Sequence, residues 1–183
     1  PVPPGTIRSF WTPDYLVLNT GKERLPKELG FPLLVKPVAE GTSKGVTKKS
    51  IVRTEEELRE VAREMIAKYR QPALAEQYIA GREFTVGLLG ERRPRVLPPM
   101  EIVFLDANDP TPIYSFDMKQ DWSKEIRYEV PAKLTERELD RLERAARECF
   151  TALGCRDVAR VDFRIDAEGR IFFIECNPLP GLT

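Results

Sequence analysis

Four residues near the end of the chain are of types that hold metal ions and phosphates. Asp162, Glu175 and Asn177 offer oxygen atoms, and Arg160 lies two positions before Asp162. Because successive side chains of a strand point to opposite faces, Arg160 shares a face with Asp162, and Glu175 shares one with Asn177 on the next strand. A turn at 166–169 would place Asp162 diagonally opposite Glu175, about 7–8 Å away. Two carboxylates and an amide oxygen suit Mg²⁺ that also binds phosphate.

The alternation of the two strands has a second explanation. The first strand separates a polar face from an apolar one, which holds Ala159, Val161, Phe163 and Ile165. On the return strand, alternation places Phe173 on the same face as Glu175 and Asn177. A solvated polar face closed by salt bridges would give the same pattern, so the pattern alone leaves both explanations open.

A polar loop at 40–45 contains two glycines, which allow backbone N–H groups to approach an anion closely. Thr42, Ser43 and Lys44 add donors to this loop. Its spacing differs from that of the Walker A phosphate loop. Taken alone, the loop is explained more simply as a surface turn.

Three charged residues occupy unusual positions beside apolar strands. Lys36 lies inside the strand Leu33–Pro37, where a lysine either reaches an anion or extends from a sheet edge. Glu76 ends one apolar strand and Glu83 begins the next. The connector at 77–82 has the character of a hinge, whose backbone could contact a flat base. An ordinary hairpin is the alternative.

The elements that must position these residues mix irregularly along the chain. Thr54 and Thr135 each begin a capping box and predict a helix, the first to about Tyr69 and the second as far as Gly154. Short apolar runs predict strands at 33–37, 73–79, 83–89, 98–105 and 170–176, and an alternating pattern predicts one at 158–165. This order favours an α+β fold over a regular series of β-α-β units.

The composition limits the classes of function. The 183 residues include 29 basic and 29 acidic side chains, so net charge gives no general attraction to nucleic acid or anionic membranes. No apolar run approaches the roughly 20 residues of a membrane helix. No signal peptide is recognised, and three unpatterned cysteines predict reduced thiols in the cytoplasm. The lack of histidine excludes catalysis by histidine. Any bound metal would then be a hard cation held by carboxylate and amide oxygens.

Six segments occur together and in a fixed order along nearly the whole chain. They are Phe31–Pro37, Glu40–Gly45, Glu76, Gly81–Gly87, Ala159–Arg164 and Glu175–Thr183. Together these segments resemble the D-alanine–D-alanine ligases, a family of the ATP-grasp superfamily. Within them, Arg82–Val86 and Asn177–Thr183 are the parts that point to this branch.

The resemblance implies an α+β ATP-grasp fold whose two lobes, 1–82 and 83–183, hold ATP in the cleft between them. It also implies a ligase that activates a carboxylate as an acyl phosphate and then joins it to an amine. D-Alanine would be the small-molecule substrate, in the biosynthesis of cell-wall peptidoglycan. A homodimer is one option for the full-length protein. Ligation of another amino acid or peptide, or nucleotide binding without catalysis, stays an alternative.

Residue by residue, the resemblance implies which side chains and backbone groups bind ATP and metal and which take part in catalysis. Phosphates would be bound by Lys36, Thr42, Ser43, Lys44, Gly45 and Lys119. Adenine would contact Glu76 and the backbone of Gln77, Tyr78 and Ile79, while Glu83 would bind the ribose. Two Mg²⁺ or Mn²⁺ ions would be held by Asp162, Glu175 and Asn177. The catalytic residues would be Arg160, Gly181 and Ser43, with Arg160 and the Gly181 backbone stabilising an oxyanion.

The chain departs from the family pattern in three respects. We expect an N-terminal domain and a C-terminal tail, both with substrate-binding groups, to lie outside 1–183, so that this chain alone makes little or no dipeptide. Gln120 follows Lys119 at the position where the family usually has a tyrosine, and that tyrosine helps to order a lid over the substrates. Because of this difference, a substrate other than D-alanine stays an alternative. Thr42 and Ser43 replace the usual serine pair and retain both hydroxyls.

Overall fold

The computed structural model describes residues 9–40, 45–114 and 125–180, which divide into two compact units. The described residues of the four-stranded unit come from 13–78 and 104–126, and those of the six-stranded unit come from 1–12, 79–103 and 127–183. The lobes predicted from the sequence are continuous in the chain, whereas each unit combines separate segments. No helix in the described ranges is long and apolar enough to cross a membrane.

The four-stranded unit packs one helix against an antiparallel sheet. Its elements are β1 (Tyr15–Leu18), β2 (Leu33–Pro37), a short 3₁₀ helix (Lys48–Ser50), β3 (Ile51–Val52), α1 (Glu55–Tyr69) and β4 (Ala73–Gln77). The strand order is β1-β4-β2-β3. Leu33 and Val35 of β2 are fully buried with Leu58 of α1, so the alternate residues Leu34 and Lys36 belong to the opposite face of the sheet.

The N-terminus of α1 forms only part of the predicted capping box. The Thr54 hydroxyl accepts a hydrogen bond from the Glu57 N–H, as a capping threonine should. The Glu57 carboxylate, however, accepts from the N–H of Arg53, one residue before the cap, at 2.6 Å. The box at Thr135 and Glu138 is complete, with both reciprocal hydrogen bonds present.

The six-stranded sheet carries the second helix on one face. Its elements are β5 (Arg82–Leu89), β6 (Arg95–Val96), β7 (Met100–Phe104), β8 (Ile126–Glu129), α2 (Glu136–Ala152), β9 (Val158–Ile165) and β10 (Ile171–Asn177). The order is β10-β9-β5-β7-β8, with β6 beside β5. Leu142 and Phe150 of α2 pack with Phe84 and Phe163 in the core. Strands β1, β3, β6 and β8 were not predicted from the sequence.

The pairing of β9 with β10 shifts register by one residue at Ile174. Phe173 lies opposite Phe163, but the next pair is Glu175 with Asp162. The prediction that Glu175 is diagonal to Asp162 is therefore wrong: the turn pairs Ile165 with Ile171 and not with Arg170, and the extra residue then brings Glu175 directly opposite Asp162. The prediction that Phe173 shares a face with Glu175 is also wrong: Phe173 packs edge-on against Phe163 of the core, with ring centroids 6.4 Å apart.

Gly81 connects Ile79 to β5 in a conformation that glycine alone adopts easily. Its φ is +147°, and a Cβ atom built there would lie 2.1 Å from the carbonyl oxygen of Ile165. The connector therefore passes the end of β9 at a distance that excludes any side chain. Ile79, two residues before Gly81, also contacts β9, because the Ile79 carbonyl accepts a hydrogen bond from Arg164 at 2.8 Å.

Gly81→Ala should lower the free energy of unfolding by at least about 2 kcal/mol, because the methyl group meets backbone and the φ is unfavourable. Thermal melts would measure this loss. Gly30→Ala, which meets nothing within 4 Å, is the control and should stay within about 0.5 kcal/mol of the parent. Equal stability of the two variants would show that the close approach at Ile165 does not constrain the connector.

Candidate active site

One face of the six-stranded sheet carries three rows of paired residues across β5, β9 and β10. The rows are Glu83–Arg164–Phe172, Thr85–Asp162–Glu175 and Gly87–Arg160–Asn177. Directly paired residues point to the same face, and rows two residues apart along a strand are separated by about 7 Å. The sequence-predicted residues Glu83, Arg160, Asp162, Glu175 and Asn177 therefore share one surface, which we call the polar face.

Asp162 lies at the centre of the polar face and is held from two sides. Its Oδ1 accepts hydrogen bonds from the Thr85 hydroxyl and from Nε of Arg160, and its Oδ2 accepts from Nη2 of Arg160 at 3.0 Å. Burial raises the pKa of Asp162 to about 6, while Arg160 and Thr85 act in the opposite direction. The carboxylate is thus costly to desolvate and is stabilised by positive charge.

Glu175 and Asn177 extend the oxygen-rich surface beside Asp162. Nη2 of Arg160 lies 3.5 Å from Oε1 of Glu175, so one guanidinium faces both carboxylates. The side-chain Nδ2 of Asn177 donates to the same Glu175 oxygen at 3.1 Å. The side-chain Oδ1 of Asn177 is therefore left for another partner. Both acidic side chains retain solvent exposure, 16% for Asp162 and 37% for Glu175.

This donor set fits a hard divalent cation that brings further ligands with it. Two carboxylates and an amide oxygen are ligands that Mg²⁺ accepts, and Mg²⁺ usually completes its octahedron with water and phosphate. Within the part of the chain that the structure describes, no group of three or more His, Cys, Asp or Glu side chains could hold a metal ion. The polar face therefore suits a metal that arrives with phosphate better than a metal enclosed by protein.

Glu83 forms the other end of the polar face. Its Oε2 accepts two hydrogen bonds from Arg164, at 3.1 Å from Nε and 2.6 Å from Nη2. The same guanidinium donates from Nη1 to the Ile79 carbonyl. The sequence patterns and the resemblance assigned no ligand-binding role to Arg164 or to Thr85. Only the β5–β9 register brings these residues to the predicted ligands.

Lys36 and Glu76 lie together in the four-stranded unit. Lys36 Nζ is 2.5 Å from Glu76 Oε2, and their side chains are 20% and 16% exposed. The pair forms on the face opposite α1, because Lys36 is opposite Leu74 and Glu76 is opposite Leu34 across β2 and β4. The ion pair with Glu76 on the neighbouring strand compensates the charge of Lys36, which explains why a lysine is tolerated in this otherwise apolar strand.

The backbone after β4 is partly committed within the fold. The Gln77 N–H donates to Asp14 O at 2.8 Å, and the Tyr78 N–H donates to Pro32 O at 3.0 Å. Among the described residues, the Ile79 N–H has no acceptor. Of the three predicted backbone contacts to a base, Ile79 is thus the one with an available donor.

The remaining predicted residues fall at or beyond the limits of the description. Gly45 has a φ of +84° and packs beside the Tyr69 ring in the four-stranded unit. Thr42, Ser43, Lys44, Lys119 and Gly181 lie outside the described residues, as does Gln120. Their assigned roles stay predictions.

Comparison with known proteins agrees with the architecture. The family model described as "D-ala D-ala ligase C-terminus" matches residues 13–183. A D-alanine–D-alanine ligase of Alkalilimnicola ehrlichii is 37% identical over 183 residues, which is 100% of this chain and 52% of that protein. The corresponding ligase of Pelotomaculum thermopropionicum is 35% identical over 91% of this chain and 49% of its own length.

Two solved structures share the fold. The VanG D-Ala:D-Ser ligase from Enterococcus faecalis has a TM-score of 0.78 and 25% identity, covering 96% of this chain and 50% of that one. The D-alanine–D-alanine ligase from Bacillus anthracis complexed with ATP has a TM-score of 0.71 and 28% identity, covering 95% and 51%. The chain spans about half the length of these relatives.

The predicted α+β ATP-grasp class and the resemblance stated from the motifs are both confirmed by these matches. The chain belongs to the D-alanine–D-alanine ligase family, whose C-terminal domain it matches from residue 13 onward.

Proposed function

We propose that this chain is the ATP-binding core of a ligase that joins a carboxylate to an amine, with D-alanyl-D-alanine as the leading product. The observation that carries the proposal is the row Thr85–Asp162–Glu175 with Arg160 facing both carboxylates. Family membership supports the reaction. In this reaction a substrate carboxylate attacks the γ-phosphate of ATP and ADP leaves. An amine then attacks the resulting acyl phosphate, and inorganic phosphate leaves.

The residues of the polar face would mainly position groups and balance charge. Asp162, Glu175 and Asn177 would hold Mg²⁺ or Mn²⁺, which would neutralise charge on the phosphates when bound. Arg160 would then exchange part of its contact with Asp162 for contact with negative charge that develops on the substrate. Glu83 would bind the ribose hydroxyls. No histidine is needed, because phosphoryl transfer of this kind depends on positioning and electrostatics.

In the four-stranded unit, Lys36 would exchange its contact with Glu76 for the phosphates of ATP. Glu76 and the Ile79 N–H would then contact the adenine edge, together with the carbonyl groups of Gln77 and Tyr78. Thr42, Ser43, Lys44, Gly45 and Lys119 complete the proposed phosphate contacts, and Gly181 the oxyanion contact. We also propose a cytoplasmic protein with small-molecule substrates and without nucleic-acid or membrane partners. A homodimer is proposed for the full-length protein.

A second amino acid other than D-alanine is the runner-up reaction. The VanG structure is named as a D-Ala:D-Ser ligase, and Gln120 departs from the tyrosine usual in the family. An assay of ATP-dependent phosphate release separates these reactions. Release with D-alanine alone indicates D-alanyl-D-alanine synthesis, whereas release only after D-serine or another amine is added indicates the runner-up reaction. Full-length protein is required for this assay. Nucleotide binding without phosphate release under any pair of amino acids would favour the non-catalytic alternative.

Asp162→Asn and Glu175→Gln should abolish stabilisation by Mg²⁺–ATP, because each removes a charged ligand. The parent should gain about 2.7 kcal/mol at a 100-fold excess of Mg²⁺–ATP over Kd, and neither variant should gain more than a small part of this. Without ligand, the melting temperatures of both variants should stay close to that of the parent, because the loss of an ion pair is offset by relief of the repulsion between the carboxylates.

Thermal melts with and without Mg²⁺–ATP measure both quantities. Asp140→Asn, an exposed position on α2, is the matched control and should keep the full gain. If Asp162→Asn and Glu175→Gln also keep it, the metal assignment is wrong. If they instead lose stability without ligand while ATP has no effect on the parent, the polar face is a salt-bridged surface.

Lys36→Met should weaken ATP binding about tenfold or more and leave adenosine binding nearly unchanged. The expected loss corresponds to one charge-assisted hydrogen bond to phosphate. Calorimetry with the two ligands provides the comparison, and Lys27→Met, at an exposed position of the same unit, serves as the control. A parallel loss of affinity for ATP and adenosine would assign Lys36 to the fold and not to the phosphates.

A further inference from the structure

Arg164 is a charged side chain that the fold buries almost completely, with only 5% of the residue exposed. Burial of a guanidinium is costly unless its donors are paired. Here Nε and Nη2 both donate to Oε2 of Glu83, and Nη1 donates to the carbonyl oxygen of Ile79. One rigid planar group therefore ties a strand carboxylate to the connector before that strand.

The two bonds to Glu83 use a single carboxylate oxygen. No described residue donates to Oε1 of Glu83, and an ionised carboxylate has about four acceptor positions. The Glu83 side chain is 15% exposed, so it still reaches the surface of the polar face. Arg164 thus fixes the orientation of this carboxylate and leaves one oxygen to accept hydrogen bonds from a ligand.

The bond to Ile79 fixes a second group beside the same carboxylate. Arg164 Nη1 lies 2.8 Å from Ile79 O, and the Ile79 N–H is the donor without an acceptor among the described residues. Gly81 passes Ile165 O so closely that the connector has no space to move toward β9. The spacing between the Ile79 backbone and the Glu83 carboxylate is therefore set by Arg164.

We propose that Arg164 is a positioning residue that sets the specificity of this chain for nucleotides with ribose hydroxyls. It holds Glu83 in the orientation that accepts from those hydroxyls and holds Ile79 at a fixed spacing for the base. The inference rests on the proposed function, in which ATP binds at these residues. Lysine cannot replace this arrangement, because a single ammonium group lacks the planar fork that contacts Glu83 and Ile79 together.

The test compares the affinities of ATP and 2′,3′-dideoxy-ATP, both with Mg²⁺, for the chain and its variants. The parent should bind ATP at least about tenfold more tightly, because the dideoxy nucleotide leaves Oε1 of Glu83 without a hydrogen-bond donor. Glu83→Gln should reduce this ratio. Arg164→Met and Arg164→Lys should reduce it at least about fivefold, mainly by weakening ATP, while binding remains dependent on Mg²⁺.

Arg82 provides a matched control in the same sheet. Its guanidinium likewise donates two hydrogen bonds to one carboxylate, that of Glu101, at 2.7 and 2.6 Å, and one to a backbone carbonyl, that of Lys133. It stacks on Phe84, which belongs to the core shared with α2, and so lies on the face opposite Glu83. Arg82→Met and Arg82→Lys should lower the melting temperature without changing the nucleotide ratio.

The outcomes separate the inference from the proposed function. If the parent fails to bind ATP, the proposed function fails. If the parent binds ATP but does not discriminate against the dideoxy nucleotide, or if the Arg164 variants keep the parental ratio, ATP binding stands and the role of Arg164 is overturned. An equal fall of the ratio in the Arg82 variants would assign the effect to general loosening of the sheet and would also overturn it. Arg164→Lys, which keeps the charge, supplies the folded variant if Arg164→Met does not fold.

Discussion

The extra residue at Ile174 decides which side chains of β10 face the core and which face the ligand-binding surface. Residues 171–174 are all apolar, and Phe173 packs against Phe163 in the core. Without the register shift, Glu175 would lie opposite Val161, a fully buried core residue. Burying an unpaired carboxylate there would cost several kcal/mol. Packing of the apolar run and solvation of Glu175 are both satisfied only because one residue is left unpaired.

The same shift creates the electrostatic problem that the polar face must solve. It places Glu175 directly opposite Asp162, and burial already raises the pKa of Asp162 to about 6. Arg160 offsets this by facing both carboxylates, and the Thr85 hydroxyl contributes a further hydrogen bond. A cation at this position would have to compete with Arg160 for Asp162. In our account that competition frees Arg160 for the substrate when metal and nucleotide arrive together.

Local patterns in the sequence predict elements well and pairings poorly. Helix α1, strand β2 and strand β9 were predicted with the observed bounds, because helical periodicity, short apolar runs, alternation and capping residues are local signals. The register shift was missed, since a run of four apolar residues does not show which of them lacks a partner. The run itself was the available clue, because strict alternation already fails within it.

The roles of Thr85 and Arg164 depend on pairing between strands about 80 positions apart in the chain. Nothing within β5 or β9 alone indicates that Thr85 reaches Asp162 or that Arg164 reaches Glu83. The family motifs, in contrast, named Glu83, Arg160, Asp162, Glu175 and Asn177, which the sheet does bring onto one surface. The motifs identify residues, and the register assigns their contacts.

The central claim, that the polar face binds a nucleotide-bound divalent cation, is tested most directly with Mn²⁺–ATP and an isotope-labelled chain. Paramagnetic Mn²⁺ broadens the NMR signals of nearby backbone amides, so it reports the location of the metal without any substitution. The broadening should be strongest at the amides of Asp162, Glu175 and Asn177 and weaker at those of α2, which packs on the opposite face of the sheet. ATP-dependent broadening centred elsewhere, with these three amides unaffected, would contradict the claim.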